Sequence, residues 1–189
     1  MEVLFHFIFE LIKISILASI YTTLLLLVLS VIGRLKPNSL CNSVKQNKTK
    51  FWLLGGFIIS AGLLVYMFTY WGNHGMGDSA KVPVGHFKEV RQINGTDSYI
   101  QNSDGEQLGI ENFVFGNSWL YAETQRKFNG GKGDYVVWDL QNDHWTFYKT
   151  KADYLMAAGQ NNYPMPDRFE EFGDHYKRHW HGWRFWLLP

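Results

Sequence analysis

From Phe51 to Trp71 the chain reads FWLLGGFIISAGLLVYMFTYW, twenty-one residues without a charge. At about 1.5 Å per residue, a helix of that length covers the roughly 30 Å of bilayer hydrocarbon. In water the same helix would need a core able to cover all its faces, and the polar sequence after Trp71 could hardly supply one. Aromatic rings bracket the run, Phe51 and Trp52 at one end and Tyr66, Tyr70 and Trp71 towards the other. Amphipathic rings favour the headgroup boundary. The segment is therefore read as a transmembrane helix over about 51–71.

A second apolar run precedes it. From Val3 to Ile32 the chain is apolar except for His6, Glu10, Lys13 and a few hydroxyls. As one helix this run would be about 45 Å long, more than the hydrocarbon alone needs. Its clean core starts at Ile14, so the expected span is about 14–33, with residues 2–13 extending through the interface or lying along it. His6, Glu10 and Lys13 recur at i, i+4 and i+7 and so share one helical face. That face suits a polar stripe at the headgroups with Lys13 snorkelling. It also suits an intramembrane site in which Glu10 faces a partner subunit or a proton path. The basic residues follow the apolar run instead of preceding it, and the run is too long for a signal peptide's apolar region, so an uncleaved anchor is expected. Small residues four apart (Ser15 and Ser19; Gly56 and Ser60, with Gly62 nearby) would allow close packing, within an antiparallel hairpin or against a neighbouring subunit.

Charge gives the hairpin an expected orientation. Residues 34–50 contain Arg34, Lys36, Lys45, Lys48 and Lys50 and no acid, which by the positive-inside rule makes the loop cytoplasmic. Both termini would then be extracytoplasmic, and residues 72–189 would be periplasmic if the membrane is a Gram-negative inner membrane. The net charge of +1 is thus the sum of +4 on the anchor (1–71) and −3 on the remainder. No segment pairs a dense basic stripe with the net charge needed to neutralise phosphates, so a nucleic-acid partner is not expected. The one cysteine, Cys41, lies in the basic loop, where a thiol stays reduced. Residues 72–189 must therefore fold without a disulfide.

After a glycine-rich link, GNHGMGDSAKVPVG, residues from about Val82 to Lys149 read as five to seven short antiparallel strands. HFKEVRQI and SYIQ flank Asn94-Gly95, a favoured hairpin turn, and Asp104-Gly105 marks the next. FNGGKGD separates SWLYAETQRK from DYVVWDLQ, and Gln141–Asp143 precedes HWTFYK. Thr150 with Asp153 resembles a capping box opening a helix that Gly159 would stop. A second helix is expected from about Asp167, with Phe169, Phe172, Tyr176 and Trp180 as its buried stripe. The expected class is α+β: a two-helix transmembrane hairpin, then a small β-meander or barrel-like domain with two C-terminal helices.

The densest chemistry lies in EEFGDHYKRHWHGWRFW. His175 and His179 at i and i+4 could share a metal, with His181 and Asp174 or Glu171 adding ligands, although the HExxH form is missing. Against that stands a packed helix whose histidines sit on its polar face and last turn. Trp180, Trp183, Phe185 and Trp186 form an aromatic end too apolar to leave in water. These rings could close the domain core, rest on the membrane or dock on a partner, with Arg178 and Arg184 offering cation–π or phosphate contacts. The acid pairs Asp139/Asp143 and Glu170/Glu171 could in principle serve hydrolysis. No cysteine, GxSxG or serine-histidine-acid signature supports a nucleophile in residues 72–189, so catalysis is not favoured and no cofactor is assigned. The leading expectation is an integral membrane accessory or interaction protein, a subunit of a larger membrane assembly with an extracytoplasmic binding domain. An extracytoplasmic metal-dependent hydrolase, or an envelope-stress or toxin-immunity factor, is the alternative.

Overall fold

The structure, a computed structural model, describes residues 2–35, 44, 46–72 and 79–189. Lys36, Cys41 and Lys45 of the basic loop, and residues 73–78 of the glycine-rich link, lie outside the described residues. The chain divides into two compact units, Met1–Asn73 together with Gly182–Pro189, and His74–His181.

In the first unit, α1 (Glu2–Leu35) is one unbroken helix of 34 residues, so residues 2–13 continue the helix that starts the expected span. The second helix, α2 (Lys48–Met67), begins three residues before Phe51 and ends at Met67. Turn hydrogen bonds from the Phe68 and Thr69 amides to the Val65 and Tyr66 carbonyls then draw the chain out of the helix. Both helices are long and apolar enough to cross a membrane.

They pack antiparallel, since Thr22 meets Gly55 while the Trp52 indole donates to Thr23 Oγ1 at 3.1 Å. Ile14, Ala18 and Thr22, spaced four apart, are buried on α1. On α2 the expected Gly56 does face this seam, a Cβ there lying 3.8 Å from Thr22 Oγ1, while on α1 the seam falls on Ile14, Ala18 and Thr22 instead of Ser15 and Ser19. A Cβ at Gly55 would lie 3.1 Å from Thr22 Cγ2, so glycine permits the approach. Ser15 and Ser19 do not build this seam; their hydroxyls donate back to the carbonyls of Leu11 and Ser15, each at 2.8 Å. A hydroxyl satisfied within its own helix needs no partner from outside it.

The second unit is an antiparallel sheet that follows chain order as a meander: β1 (Ala80–Gly85), β2 (Lys88–Ile93), β3 (Asp97–Gln101), β4 (Gln107–Phe115), β5 (Trp119–Thr124), β6 (Tyr135–Asp139) and β7 (His144–Tyr148). The Asn94-Gly95 turn forms as expected, with both residues at positive φ. The run HFKEVRQI does not form one strand. His86 and Phe87 take φ of 49° and 57° and make a turn between β1 and β2, a backbone choice their side chains do not advertise. In β4 the register breaks between Ile110 and Phe113, and β3 pairs no further than Ile110. The flank beyond is taken by β8 (Glu170–Glu171), which pairs with Asn112 and Phe113.

Strand alternation sends side chains to two cores. Val90, Ile100, Phe113, Leu120, Val136 and Trp138 belong to the larger one, with Phe172 packed among them. Tyr135 and Val137, on the opposite face of β6, pack against Tyr154 and Ala158 of α3 (Lys151–Asn161). Thr150 and Asp153 form the expected capping box. Gly159 does not stop the helix, which runs to Asn161 and ends where Asn162 adopts the left-handed conformation. The expected start of the last helix near Asp167 is also displaced. Pro166–Arg168 is a 3-10 turn, β8 follows, and α4 spans Phe172–Trp180. Phe169 accordingly leaves the α4 stripe and joins the smaller core, while Phe172, Tyr176 and Trp180 keep it.

Asp143 ties loop to core. Its carboxylate accepts from Lys88 Nζ at 2.7 Å, the Ser103 amide at 2.6 Å and the buried Trp138 indole at 2.9 Å. Burial works against its ionisation, yet these donors hold the carboxyl well below the usual carboxylate range. A carboxylate with a depressed folded pKa contributes stability that is present above its unfolded pKa, about 4, and lost as pH falls below it. Replacing Asp143 with Ala should lower the stability of the full chain in mild detergent by roughly 2–3 kcal/mol at neutral pH, read from chemical unfolding followed by tryptophan fluorescence. Asp143→Asn should flatten the loss of stability below about pH 4. Equal acid sensitivity in wild type and variant would refute this role.

Candidate functional site

The residues singled out by sequence fall into two places. The aromatic end is not one cluster. Trp180 closes α4 inside the second unit, buried, its indole donating to the Lys81 carbonyl at 2.9 Å. His181 is already extended, at φ −78° and ψ 176°, and Gly182 follows at φ 71° and ψ −136°, a conformation that L side chains rarely adopt. Beyond it α5 (Trp183–Leu187) belongs with α1 and α2.

This split brings two separately chosen sets together. The Lys13 ammonium lies 5.0 Å from the centroid of the Phe185 ring, and the Tyr21 hydroxyl donates to the Leu187 carbonyl. Steps of four, three, four and four connect His6, Glu10, Lys13, Leu17 and Tyr21, so they form one stripe along α1. The C-terminal segment lies on that stripe at Lys13 and Tyr21, and Leu17 between them is buried. The His6 ring nitrogen is 3.5 Å from Glu10 Oε1, while the other Glu10 oxygen is buried without a hydrogen-bond partner. The i, i+4, i+7 spacing pointed to this stripe; nothing in the spacing of Trp183, Phe185 and Trp186 pointed to its occupant.

The rings of the segment remain largely uncovered by the protein. Trp183 is 62% exposed and Trp186 72%. The Arg184 guanidinium lies 5.3 Å from the Trp183 ring centroid. A cation stacked on an aromatic face beside apolar rings can reach an anionic headgroup or an acidic partner.

The histidines do not converge. His175 is buried in the second unit, stacked on Phe113 with centroids 4.2 Å apart, and its Nε2 donates to the Phe113 carbonyl at 2.8 Å. His179 meets the Trp180 ring edge-on at 4.5 Å, and His181 is an exposed residue closing α4. No group of three His, Cys, Asp or Glu side chains among the described residues has metal-binding geometry. Asp139, Asp143 and Glu170 have structural work. Asp139 accepts from the Gln141 and Asn142 amides of its turn, and Glu170 receives Arg178 through both oxygens at 2.7 and 2.8 Å.

Burial lowers the pKa of His175, with Arg178 acting in the same direction, while the Phe113 bond, Glu170 and Asp174 oppose the shift. The folded imidazole stays neutral at a pH where the unfolded one, near 6.5, takes a proton. Stability of the full chain should therefore fall as pH drops through about 6.5, and His175→Gln should weaken that slope while leaving the far-ultraviolet dichroism unchanged. Zinc at micromolar concentration should not raise the unfolding midpoint; a rise abolished by His175→Gln would restore the metal reading. No protein-family model, curated protein or solved structure matches this chain.

Proposed function

We propose that the chain is an integral membrane protein with two spans, whose β-rich unit is an extracytoplasmic binding module serving a larger membrane assembly. The observation that carries this reading is the outer surface of the helix pair. Phe57 is 73% exposed and Val65 66%, and Leu4, Leu27 and Leu53 point outward with them. A continuous apolar surface of that kind is not left to water in a soluble protein. Where the helices come closest Thr22 meets Gly55, a small residue of the kind that allows close backbone approach where lipid solvates the outside.

The charge distribution supports the orientation. Five basic residues and no acid occupy 34–50, so the positive-inside rule assigns this loop to the cytoplasm and residues 72–181 to the other side. The role as an accessory or binding subunit rests on chemistry that is accounted for elsewhere: the acids and His175 are engaged in the fold, which leaves binding as the favoured activity of the exposed unit.

Native Cys41 provides the test of topology. In intact cells or spheroplasts, an impermeant maleimide should leave Cys41 unlabelled until the membrane is opened. In a Cys41→Ser background, Asp104→Cys, in the exposed β3–β4 loop, should label at once. The protein should stay with the membrane on alkaline carbonate washing and migrate above monomer size in mild detergent. Reversed labelling would overturn the orientation, release by carbonate the membrane reading, and a partner-free monomer the assembly.

A further inference from the structure

We propose that the C-terminal segment Gly182–Pro189 is a third, lipid-seated attachment of the protein: the rings of Trp183, Phe185 and Trp186 contact the bilayer, and α1 holds them there. The inference rests on the two-span reading and goes beyond it, because it assigns a partner to a segment that is too short to span.

Three observations lead to lipid. The segment is fixed to α1 at two points eight residues apart, the Lys13 ammonium over Phe185 and the Tyr21 hydroxyl on the Leu187 carbonyl. Its backbone is thereby held along a helix that is itself long and apolar enough to cross a membrane. Next to the stripe that carries it, Ile16 and Ile20 are exposed on the neighbouring face of α1, so the outward rings continue an apolar surface that already needs covering. The composition is also that of the headgroup boundary. Two tryptophans with an arginine between them combine apolar bodies with donors that seek water or phosphate, and Arg184 stacked on Trp183 is placed to do both. The common occupant for such chemistry is the interfacial layer of a phospholipid leaflet, in which amphipathic segments lie with their apolar face sunk into the acyl boundary.

The test uses the full chain in phospholipid vesicles with a Cys41→Ser background and a nitroxide at Trp186→Cys, with Trp183→Cys as the second site if the first variant does not fold. Collision with oxygen, which partitions into acyl chains, is compared with collision with a water-soluble nickel chelate. A label at Phe57→Cys on α2 reports the two-span reading separately. Oxygen preference at both positions is the expected result, and Tyr21→Phe should then increase the motion of the tail label while leaving the Phe57 label unchanged. Oxygen preference at Phe57→Cys with nickel access at the tail overturns the proposal and leaves the spans standing. A tail label shielded from both reagents also overturns it, pointing to a protein partner or a second copy. Nickel access at Phe57→Cys refutes the membrane reading and the proposal with it.

Discussion

The first helix has to satisfy three different surroundings around one cylinder, and the helical unit depends on how its residues are divided among them. A lone helix in hydrocarbon satisfies its own backbone, so what remains to be arranged is side chains. Ile14, Ala18 and Thr22 turn to α2, where Gly55 removes the bulk that would hold the helices apart. His6, Glu10, Lys13 and Tyr21 turn to the flank where the C-terminal segment lies. Isoleucines and leucines fill the rest. Ser15, Ser19 and Thr23 each bond the carbonyl four residues back, whereas the buried Thr22 hydroxyl in the seam has no hydrogen-bond partner. A charged stripe on an apolar helix is then explained by a neighbour that can use it: an ammonium over an aromatic face is worth more as water is excluded.

In the β-rich unit the equivalent constraint falls on β4. Among the described residues it is the one strand bonded to three others, pairing β3 with its first half, β5 with its second, and β8 on the side that β3 vacates. The break between Ile110 and Phe113 makes this possible, because an irregular register bends a strand and frees its edge. His175 belongs to the same arrangement. Stacked on Phe113 and donating to its carbonyl, it fastens α4 to the strand just where β8 ends. Its Nε2 is held by the Phe113 carbonyl, and no third His, Cys, Asp or Glu among the described residues joins His175 and His179 in metal-binding geometry, so their i, i+4 spacing carries no site.

What could be read in the chain, and what could not, follows from the range over which each feature is decided. The two apolar helices, the Asn94-Gly95 turn and the Thr150/Asp153 capping box depend on neighbours in sequence, and all three were legible. The α+β class was legible too, because the hydrophobic period changes from two to near 3.6 around Thr150. The misreadings share a different cause. His86 and Phe87 make a turn with residues that give no turn signal, and Gly159 sits within a helix because the actual cap, Asn162, comes three residues later. β8 exists only because β4 offers a vacant flank, a tertiary circumstance that no local pattern at Glu170–Glu171 records.

The same distinction governs the candidate site. The stripe on α1 and the ring-rich end were each conspicuous alone, yet more than 160 residues separate Tyr21 from Leu187. α4 ends at Trp180, His181 is extended, and the turn through Gly182 leads on to Trp183 and Trp186, which belong to the first unit. Gly182 is at positive φ; any other residue would be strained at that φ, in the turn that separates Trp180 from Trp183 and Trp186. The reading of the aromatic end thus turns on the break across His181 and Gly182, which separates a ring packed in the fold, Trp180, from rings that remain exposed, Trp183 and Trp186.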